Sequence, residues 1–175
     1  MLKLDPTHPR HRLILRWMRI GLALLAGAGT ALAHPPFGFL PGLLGYPLLM
    51  LLAERSTTAR GAFWMGWLGG FAYFFIGCWW VAEAFLVNPE QAWMAPFAAS
   101  LLPMGLGLFW GTATVLYRRI APSGVHRVLV FAACFALLEW LRGHVLTGFP
   151  WNPAGSSWKA GSAMSQFAAV VGVYG

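Results

Sequence analysis

The stretch GAFWMGWLGGFAYFFIGCWWVA, residues 61–82, decides the fold class. Its 22 residues contain no Asp, Glu, Lys or Arg, and two longer uncharged runs cover residues 20–53 and 91–117. A helix that crosses a bilayer needs about 20 predominantly apolar residues. Inside the bilayer the backbone must satisfy its own hydrogen bonds, which a helix does within one segment. These runs therefore predict transmembrane helices.

The overall composition argues against a soluble globular domain. Apolar residues make up 58% of the chain and charged residues 10%, whereas ordinary globular chains have about 45–50% and about 25%. Mean hydropathy is +0.63, which also excludes intrinsic disorder because disorder requires low hydrophobicity. Cys78 and Cys134 form no CxxC pair, so the sequence does not support a disulfide scaffold or a zinc module. We predict an all-α, polytopic transmembrane helix bundle that forms one domain over residues 1–175.

Prolines and charges divide the apolar runs into separate spans. The His-Pro-Pro sequence at residues 34–36 should end the first helix, because proline lacks an amide donor and disfavours helix before it. Pro41 and Pro47 predict an irregular start to the second helix, and Pro96 and Pro103 predict kinks in the fourth. We expect five complete spans and the start of a sixth, at residues 13–33, 37–53, 61–81, 93–117, 128–141 and 164–175.

The sixth apolar run is too short to cross a bilayer. Its residues 164–175 would extend only about 18 Å as a helix at 1.5 Å per residue. The hydrocarbon core of a bilayer is about 30 Å thick. We therefore expect the sequence to stop within a sixth span.

The net charge of +7 is distributed as a topology signal. Successive connections hold five basic residues (from Lys3 to Arg19), then none, two, none, three and two. By the positive-inside rule this alternation predicts a cytoplasmic N-terminus and a periplasmic loop at residues 142–160. A nucleic-acid binder would gather its basic residues on one face, so we predict no nucleic-acid partner. Ala31-Leu32-Ala33 resembles a signal-peptide cleavage site, but the long basic head and the spans that follow favour an uncleaved helix.

Small residues within the runs predict close helix packing. Gly66 and Gly70 are four residues apart, as are Gly107 and Gly111, and such spacing lets two membrane helices approach closely. Cys78 and Cys134 have no His or carboxylate beside them in sequence, so we expect buried, inert thiols.

Glu139 and Arg142 are the ionisable pair with the greatest functional interest. Charged groups at membrane depth are costly and usually functional, and a spacing of three residues places both on one helical face where they can pair. A turn-rich aromatic stretch follows immediately. The pair could therefore anchor the end of the fifth helix or form part of a site, and the residues alone leave both open. The sequence contains no metal-ligand cluster and no nucleotide-binding loop, so we predict no metal and no cofactor.

The residues around this pair carry a specific resemblance. The segments EWLRG at residues 139–143 and VLTGFPW at residues 145–151 closely resemble the E-[FW]-L-R-G…L-T-G-F-P-W signature of apolipoprotein N-acyltransferases. Pro36-Phe37, the CWWV sequence at residues 78–81 and the GVYG sequence at residues 172–175 agree in order and spacing. One departure is Ser156, where family members often have Tyr.

This resemblance implies a bacterial inner-membrane enzyme that completes lipoprotein maturation. Family members have eight transmembrane helices and an inserted periplasmic nitrilase-like domain with a Glu-Lys-Cys triad. The triad Cys takes an acyl group from a phospholipid as a thioester, and the group then passes to the α-amine of a diacylglyceryl-cysteine. That domain would lie beyond Gly175, so we expect no catalytic residue in this chain and assign neither Cys78 nor Cys134 as the nucleophile. The chain is expected to be the membrane portion of the enzyme, inactive alone.

The resemblance also suggests roles for the signature residues. We expect Arg142 to bind a phosphate or lipid headgroup, because its guanidinium is always charged and can donate two hydrogen bonds to phosphate. Phe149 and Trp151 are expected to line the acyl path. The residues expected to support the site are Glu139, Gly143, Thr147, Gly148 and Pro150.

The implied partners are a phospholipid acyl donor, a diacylglyceryl lipoprotein acceptor and membrane lipids. The alternative function is a small polytopic transporter or a non-catalytic membrane scaffold. A transporter would show polar residues facing each other near mid-membrane, or paired broken helices in repeated halves.

Overall fold

The structure, a computed structural model, describes residues 8–174 and all of their side chains except that of Pro9. Lys3 and Gly175, which entered the predictions, lie outside the described residues. Regular structure in the described part is entirely helical, as predicted from the composition. Its α-helices are α1 (Pro9–Leu32), α2 (Gly45–Glu54), α3 (Ala59–Gly77), α4 (Ala95–Ile120), α5 (His126–His144), α6 (Ala163–Gln166) and α7 (Ala168–Val171). Its 3₁₀ segments are Leu40–Leu44, Trp79–Leu86, Pro89–Met94 and Ala154–Ser157.

Among residues 8–174, two helical segments are long and apolar enough to cross a membrane. They are Arg10–Leu32 and Pro89–Ile120. A third is obtained if α3 and the segment Trp79–Leu86, which meet at a 48° bend, form one span. The segment Leu40–Glu54 is apolar but shorter. Residues 8–174 therefore contain two or three helical segments that could cross a membrane by length and composition, and the five-span count remains a prediction.

Helix bounds differ from the predicted ones where local chemistry intervenes. The second predicted span, 37–53, becomes a regular α-helix only at Gly45, after the 3₁₀ segment Leu40–Leu44. This is the irregular start expected from Pro41, because proline cannot supply an amide hydrogen bond. One continuous helix was expected at residues 164–174, but the structure does not contain it. They contain most of α6 and all of α7, which are four residues each, and Gly172 then turns the chain with a φ of +75°.

The glycine pairs of α3 and α4 lie where these two helices meet, which confirms the predicted close packing. A Cβ atom added to Gly66 would lie 2.2 Å from Oγ1 of Thr114, and one added to Gly70 would lie 2.8 Å from Cβ of Trp110. Thr114 also donates a hydrogen bond of 2.9 Å to the carbonyl of Ala62. Since small residues let helix backbones approach, α3 can occupy the centre of the bundle between α1 and α4.

An aromatic cluster around Trp110 forms the core beside the candidate site. The Trp110 ring stacks on Tyr73 with a centroid distance of 4.6 Å and meets Phe135 edge-on at 5.3 Å. Both Trp110 and Tyr73 are fully buried. A buried indole usually finds an acceptor for its N–H group, and this requirement draws a polar partner into the core.

Alternate connections lie at opposite ends of the bundle. At one end, Arg19 donates to Oγ of Ser56 over 2.7 Å, and Arg118 donates to the Ser56 carbonyl over 2.7 Å. Arg127 and Glu54 form an ion pair of 3.4 Å at the same end. The connections after α2 and α4, which carry basic residues, therefore lie at one end of the bundle. The connections after α1, α3 and α5 lie at the opposite end.

Candidate functional site

Glu139 and Arg142 form the predicted ion pair, deep inside the protein. Arg142 Nη2 donates to Glu139 Oε2 over 2.5 Å. The second carboxylate oxygen, Oε1, accepts a hydrogen bond of 2.8 Å from Nε1 of Trp110. Glu139 is 5% exposed and Arg142 is 1% exposed. Both oxygens of the carboxylate are thus satisfied, as a buried charge requires.

The other end of the Arg142 guanidinium holds the loop that follows α5. Its Nη1 atom donates to the carbonyl of Phe149 and, over 2.9 Å, to the carbonyl of Trp151. The amide of Phe149 returns a hydrogen bond of 2.9 Å to the Arg142 carbonyl. The guanidinium carbon lies 4.9 Å from the centre of the Phe74 ring, a favourable cation–π distance. Arg142 therefore organises the loop from within.

This placement bears on the expected contact between Arg142 and a lipid headgroup. In the structure both terminal nitrogens are engaged by protein acceptors, and the side chain is closed off from the surface. A phosphate could reach Nη1 only by displacing the carbonyls of Phe149 and Trp151. Headgroup binding by Arg142 remains a prediction, and the observed contacts indicate a positioning role. Sequence spacing could not reveal this role, because the acceptors are backbone atoms of residues seven and nine positions away.

The remaining signature residues shape the loop. Gly148 has a φ of +73°, and a Cβ atom there would lie 2.3 Å from the Gly143 carbonyl oxygen. Glycine is the residue that adopts this conformation without steric cost. A Cβ atom at Gly143 would lie 2.4 Å from the Tyr174 hydroxyl. Thr147 and Pro150 are exposed, so a supporting role for their side chains remains a prediction.

The two predicted aromatic residues of the loop differ in exposure. Phe149 is partly buried and packs against the hydrophobic core. Trp151 is 55% exposed and meets Trp80 edge-on, with ring centroids 5.4 Å apart. Trp80 lies in the 3₁₀ segment Trp79–Leu86, so the two indoles join the connections after α3 and α5. A role in lining an acyl path remains a prediction for both residues of the loop.

A second polar network, which sequence reasoning missed, holds the same loop from the side of α1 and α3. The Tyr73 hydroxyl donates to the Asn152 carbonyl over 2.6 Å and lies 2.7 Å from Nε2 of His34. His34 Nδ1 lies 3.2 Å from Oγ of Ser156, which follows the signature segment by five residues. The signal available in sequence was slight: one His beside two prolines, and a Tyr among phenylalanines.

The hydrogen bonds determine which atom of His34 faces Tyr73 as a donor. A carbonyl oxygen can only accept a hydrogen bond, so Tyr73 must donate its single hydroxyl proton to the Asn152 carbonyl. His34 then donates its Nε2 proton to the Tyr73 oxygen. Its Nδ1 atom lies 3.2 Å from Oγ of Ser156, whose own proton is donated to the Pro153 carbonyl over 2.7 Å. The network therefore requires a proton on Nε2 of His34.

The stability of the fold should depend on the protonation of His34. Burial lowers the pKa of His34 from 6.5 to about 4, because desolvation disfavours the charged imidazolium. Between these values the unfolded chain binds a proton that the folded chain does not. This contribution to stability is fully present above pH 6.5 and is lost as the pH falls towards 4.

We expect the melting temperature in detergent to fall as the pH is lowered from about 7 to about 4.5. The fall should be smaller in the His34→Gln variant, which has no titrating ring. Carboxylates elsewhere titrate equally in both proteins, so the difference between the two pH profiles isolates His34. Identical profiles would show that burial of His34 does not shift its pKa.

An apolar cavity of about 610 Å³ lies between α2 and α5 and reaches the ion pair. Among the described residues, Glu139 is the one carboxylate on its wall, and Tyr174 lies at the same wall. The other lining residues are mainly apolar and include Pro47, Met50, Phe131, Phe135 and Ala136. Such a surface suits a hydrocarbon chain better than a polar ligand.

Comparison with known proteins adds independent evidence. Residues 26–175 match the family model for the apolipoprotein N-acyltransferase N-terminal domain. The chain is 58% identical over 163 residues to an apolipoprotein N-acyltransferase of Caulobacter vibrioides, which covers 91% of this chain and 31% of that relative. It is 39% identical to an apolipoprotein N-acyltransferase of Allorhizobium ampelinum, covering 95% of this chain and 34% of the relative. For an apolipoprotein N-acyltransferase of Rhizobium leguminosarum bv. trifolii the identity is 41%, with coverage of 94% and 33%.

These matches agree with the signature at residues 139–151 and extend over most of the sequence. The chain spans about a third of the length of the curated relatives it matches. Its helices, its buried Glu139–Arg142 pair and its similarity to these proteins lead to one assignment. The chain belongs to the apolipoprotein N-acyltransferase family, whose N-terminal domain it matches over residues 26–175.

Proposed function

We propose that this chain is the membrane portion of an apolipoprotein N-acyltransferase. The complete enzyme would transfer a fatty acyl group from a phospholipid to the N-terminal α-amine of diacylglyceryl-cysteine on apolipoproteins. Its Glu-Lys-Cys triad would lie outside these 175 residues, so this portion alone would be inactive. Its partners would be the phospholipid donor, the lipoprotein acceptor and the surrounding membrane lipids.

The observation that carries this proposal is the way the signature loop presents Trp151. Arg142 donates hydrogen bonds to the carbonyls of Phe149 and Trp151 inside the protein, while the Trp151 indole remains 55% exposed beside Trp80. Holding a backbone by internal hydrogen bonds fixes the direction of an exposed side chain at little entropic cost on binding. A large aromatic surface with a polar N–H group suits contact with lipid near the membrane interface.

The arrangement of the connections supports the proposed location. We place the chain in the bacterial inner membrane as a multi-pass protein with a cytoplasmic N-terminus and a periplasmic loop at residues 142–160. Arg19, Arg118 and Arg127 share one end of the bundle. Basic residues favour the cytoplasmic side, so Trp151 at the opposite end would face the periplasm. No specific observation favours the transporter or scaffold alternative over family membership.

Replacing Trp151 with alanine tests the proposal. The variant should be made in a full-length gene that contains this sequence, expressed in bacteria depleted of their own apolipoprotein N-acyltransferase. Mass spectrometry of a lipoprotein N-terminus distinguishes the diacyl from the triacyl form. We expect the rate of triacyl formation to fall about tenfold, the equivalent of losing about 1.4 kcal/mol of aromatic contact.

Trp93→Ala is the matched control for this experiment. Trp93 is also exposed, at 67%, and also belongs to the connections at the Trp151 end, but it contacts Phe97 rather than the signature loop. Its replacement should leave triacyl formation close to the wild-type rate. Equal activity of the Trp151 variant and the wild type at equal abundance would contradict the role proposed for the loop. Absence of triacyl product from the full-length wild-type protein would contradict the proposed function itself.

A further inference from the structure

We infer that Tyr73 and His34 are positioning residues for the signature loop and set the placement of Trp151. The inference rests on the proposed function only in its last step, where placing the indole becomes placing it for acyl transfer. The contacts themselves belong to residues outside the signature, at the end of α1 and within α3.

The loop is held by carbonyls that point inward from both sides of Trp151. Arg142 on α5 binds the carbonyls of Phe149 and Trp151, and Tyr73 on α3 binds the carbonyl of Asn152. Two successive carbonyls, at residues 151 and 152, are therefore tied to two different helices. Arg142 alone would leave the chain free to rotate after Trp151, so Tyr73 supplies the constraint that the signature itself lacks.

The side chain of Asn152 adds a third connection. Its Nδ2 atom donates over 3.0 Å to the carbonyl of Gly77, the last residue of α3. That carbonyl lies at the 48° break between α3 and the segment that carries Trp80, where the amide of Val81 bonds the Cys78 carbonyl instead of the Gly77 carbonyl. Asn152 itself has a φ of +51°, a conformation that asparagine tolerates better than most residues. The same residue thus fixes the loop relative to the segment whose indole contacts Trp151.

His34 completes the network by orienting the Tyr73 hydroxyl. His34 donates a hydrogen bond from Nε2 to the Tyr73 oxygen, so the hydroxyl proton of Tyr73 is directed to the Asn152 carbonyl. His34 also contacts Ser156 through Nδ1, on the far side of the loop. Both His34 and Tyr73 are almost completely buried, and loss of either partner would leave polar groups without hydrogen bonds.

Hydrogen–deuterium exchange of the chain in detergent micelles tests this inference. Tyr73→Phe removes one hydroxyl and keeps the buried ring. We expect amides of residues 149–156 to exchange about tenfold faster in this variant. Opening of the loop then no longer has to break the hydrogen bond between the Tyr73 hydroxyl and the Asn152 carbonyl, so it costs less free energy. Tyr117→Phe is the matched control, since its hydroxyl is also buried in the bundle but bonds Glu54 at the opposite end. It should leave exchange in residues 149–156 unchanged.

A pair of variants at His34 separates positioning from general loosening. His34→Gln can still donate a proton to Tyr73 and should retain most of the loop protection, whereas His34→Ala should lose it. Unchanged exchange over residues 149–156 in Tyr73→Phe would overturn the inference. So would an equal increase throughout α3 and α4, because that pattern indicates global destabilisation. Triacyl formation by the full-length Tyr73→Phe protein is measured separately and tests the proposed function, since loop exchange requires no acyl transfer.

Discussion

Replacement of Arg142 with alanine is expected to destabilise the fold by about 3–5 kcal/mol, the range for removing one partner of a buried ion pair. The substitution leaves the Glu139 carboxylate buried without its cation and frees the carbonyls of Phe149 and Trp151. The loop after α5 should detach from the bundle as a consequence. Thermal unfolding of the purified chain in detergent, at a pH near 7, measures the loss.

Two control variants separate the loss of the buried ion pair from the loss of an arginine side chain. Arg119→Ala removes the same side chain from an exposed position at the end of α4, and its effect should be within about 0.5 kcal/mol. The double variant Glu139→Gln with Arg142→Ala should recover part of the stability, because no unpaired charge remains buried. A loss of less than 1 kcal/mol in Arg142→Ala would argue that the pair contributes little to the fold.

Replacement of Gly27 with alanine is expected to cost about 3 kcal/mol, at the upper end of the range for overpacking a core. The added Cβ atom would lie 1.9 Å from the carbonyl oxygen of Gly69 on α3. A backbone oxygen cannot rotate away as a flexible side chain could, so α1 and α3 must separate. The same unfolding measurement in detergent determines the loss of stability.

Gly21→Ala is the control on the same helix. No atom outside the local helix lies within 4 Å of a Cβ at this position, and alanine favours a helix over glycine by about 1 kcal/mol. This variant should therefore be neutral or slightly more stable than the wild type. If both glycine variants behaved alike, α1 would not pack against α3 through Gly27.

Much of the fold could be predicted because membrane composition constrains secondary structure strongly. The uncharged run at residues 61–82 predicted a helix, and α3 occupies residues 59–77 of the chain. The spacing of Gly66 and Gly70 predicted close packing, and these residues contact α4. The position of the break after Gly77 was not predicted, because no proline marks it. The hydrogen bond at this break was not predictable either, because the Asn152 side chain reaches the Gly77 carbonyl from a residue 75 positions away.

The candidate site shows the same division. Helical spacing of three residues predicted that Glu139 and Arg142 would pair, because local geometry determines that contact. It could not predict that Trp110 would bind the second carboxylate oxygen, since that contact requires α4 to lie beside α5. Nor could it predict that the free end of Arg142 would turn inward to backbone carbonyls. That orientation depends on the path of the loop after α5.

The sequence by itself determined the helical class, the alternation of basic connections, the close glycine contacts and the Glu139–Arg142 pair, because each depends on local composition or spacing. Only the tertiary structure decided which groups surround that pair. It brought His34, Tyr73 and Asn152 together from three distant parts of the chain. The physical reason is that a buried polar group must find a hydrogen-bond partner, and which partner it finds depends on how the helices pack.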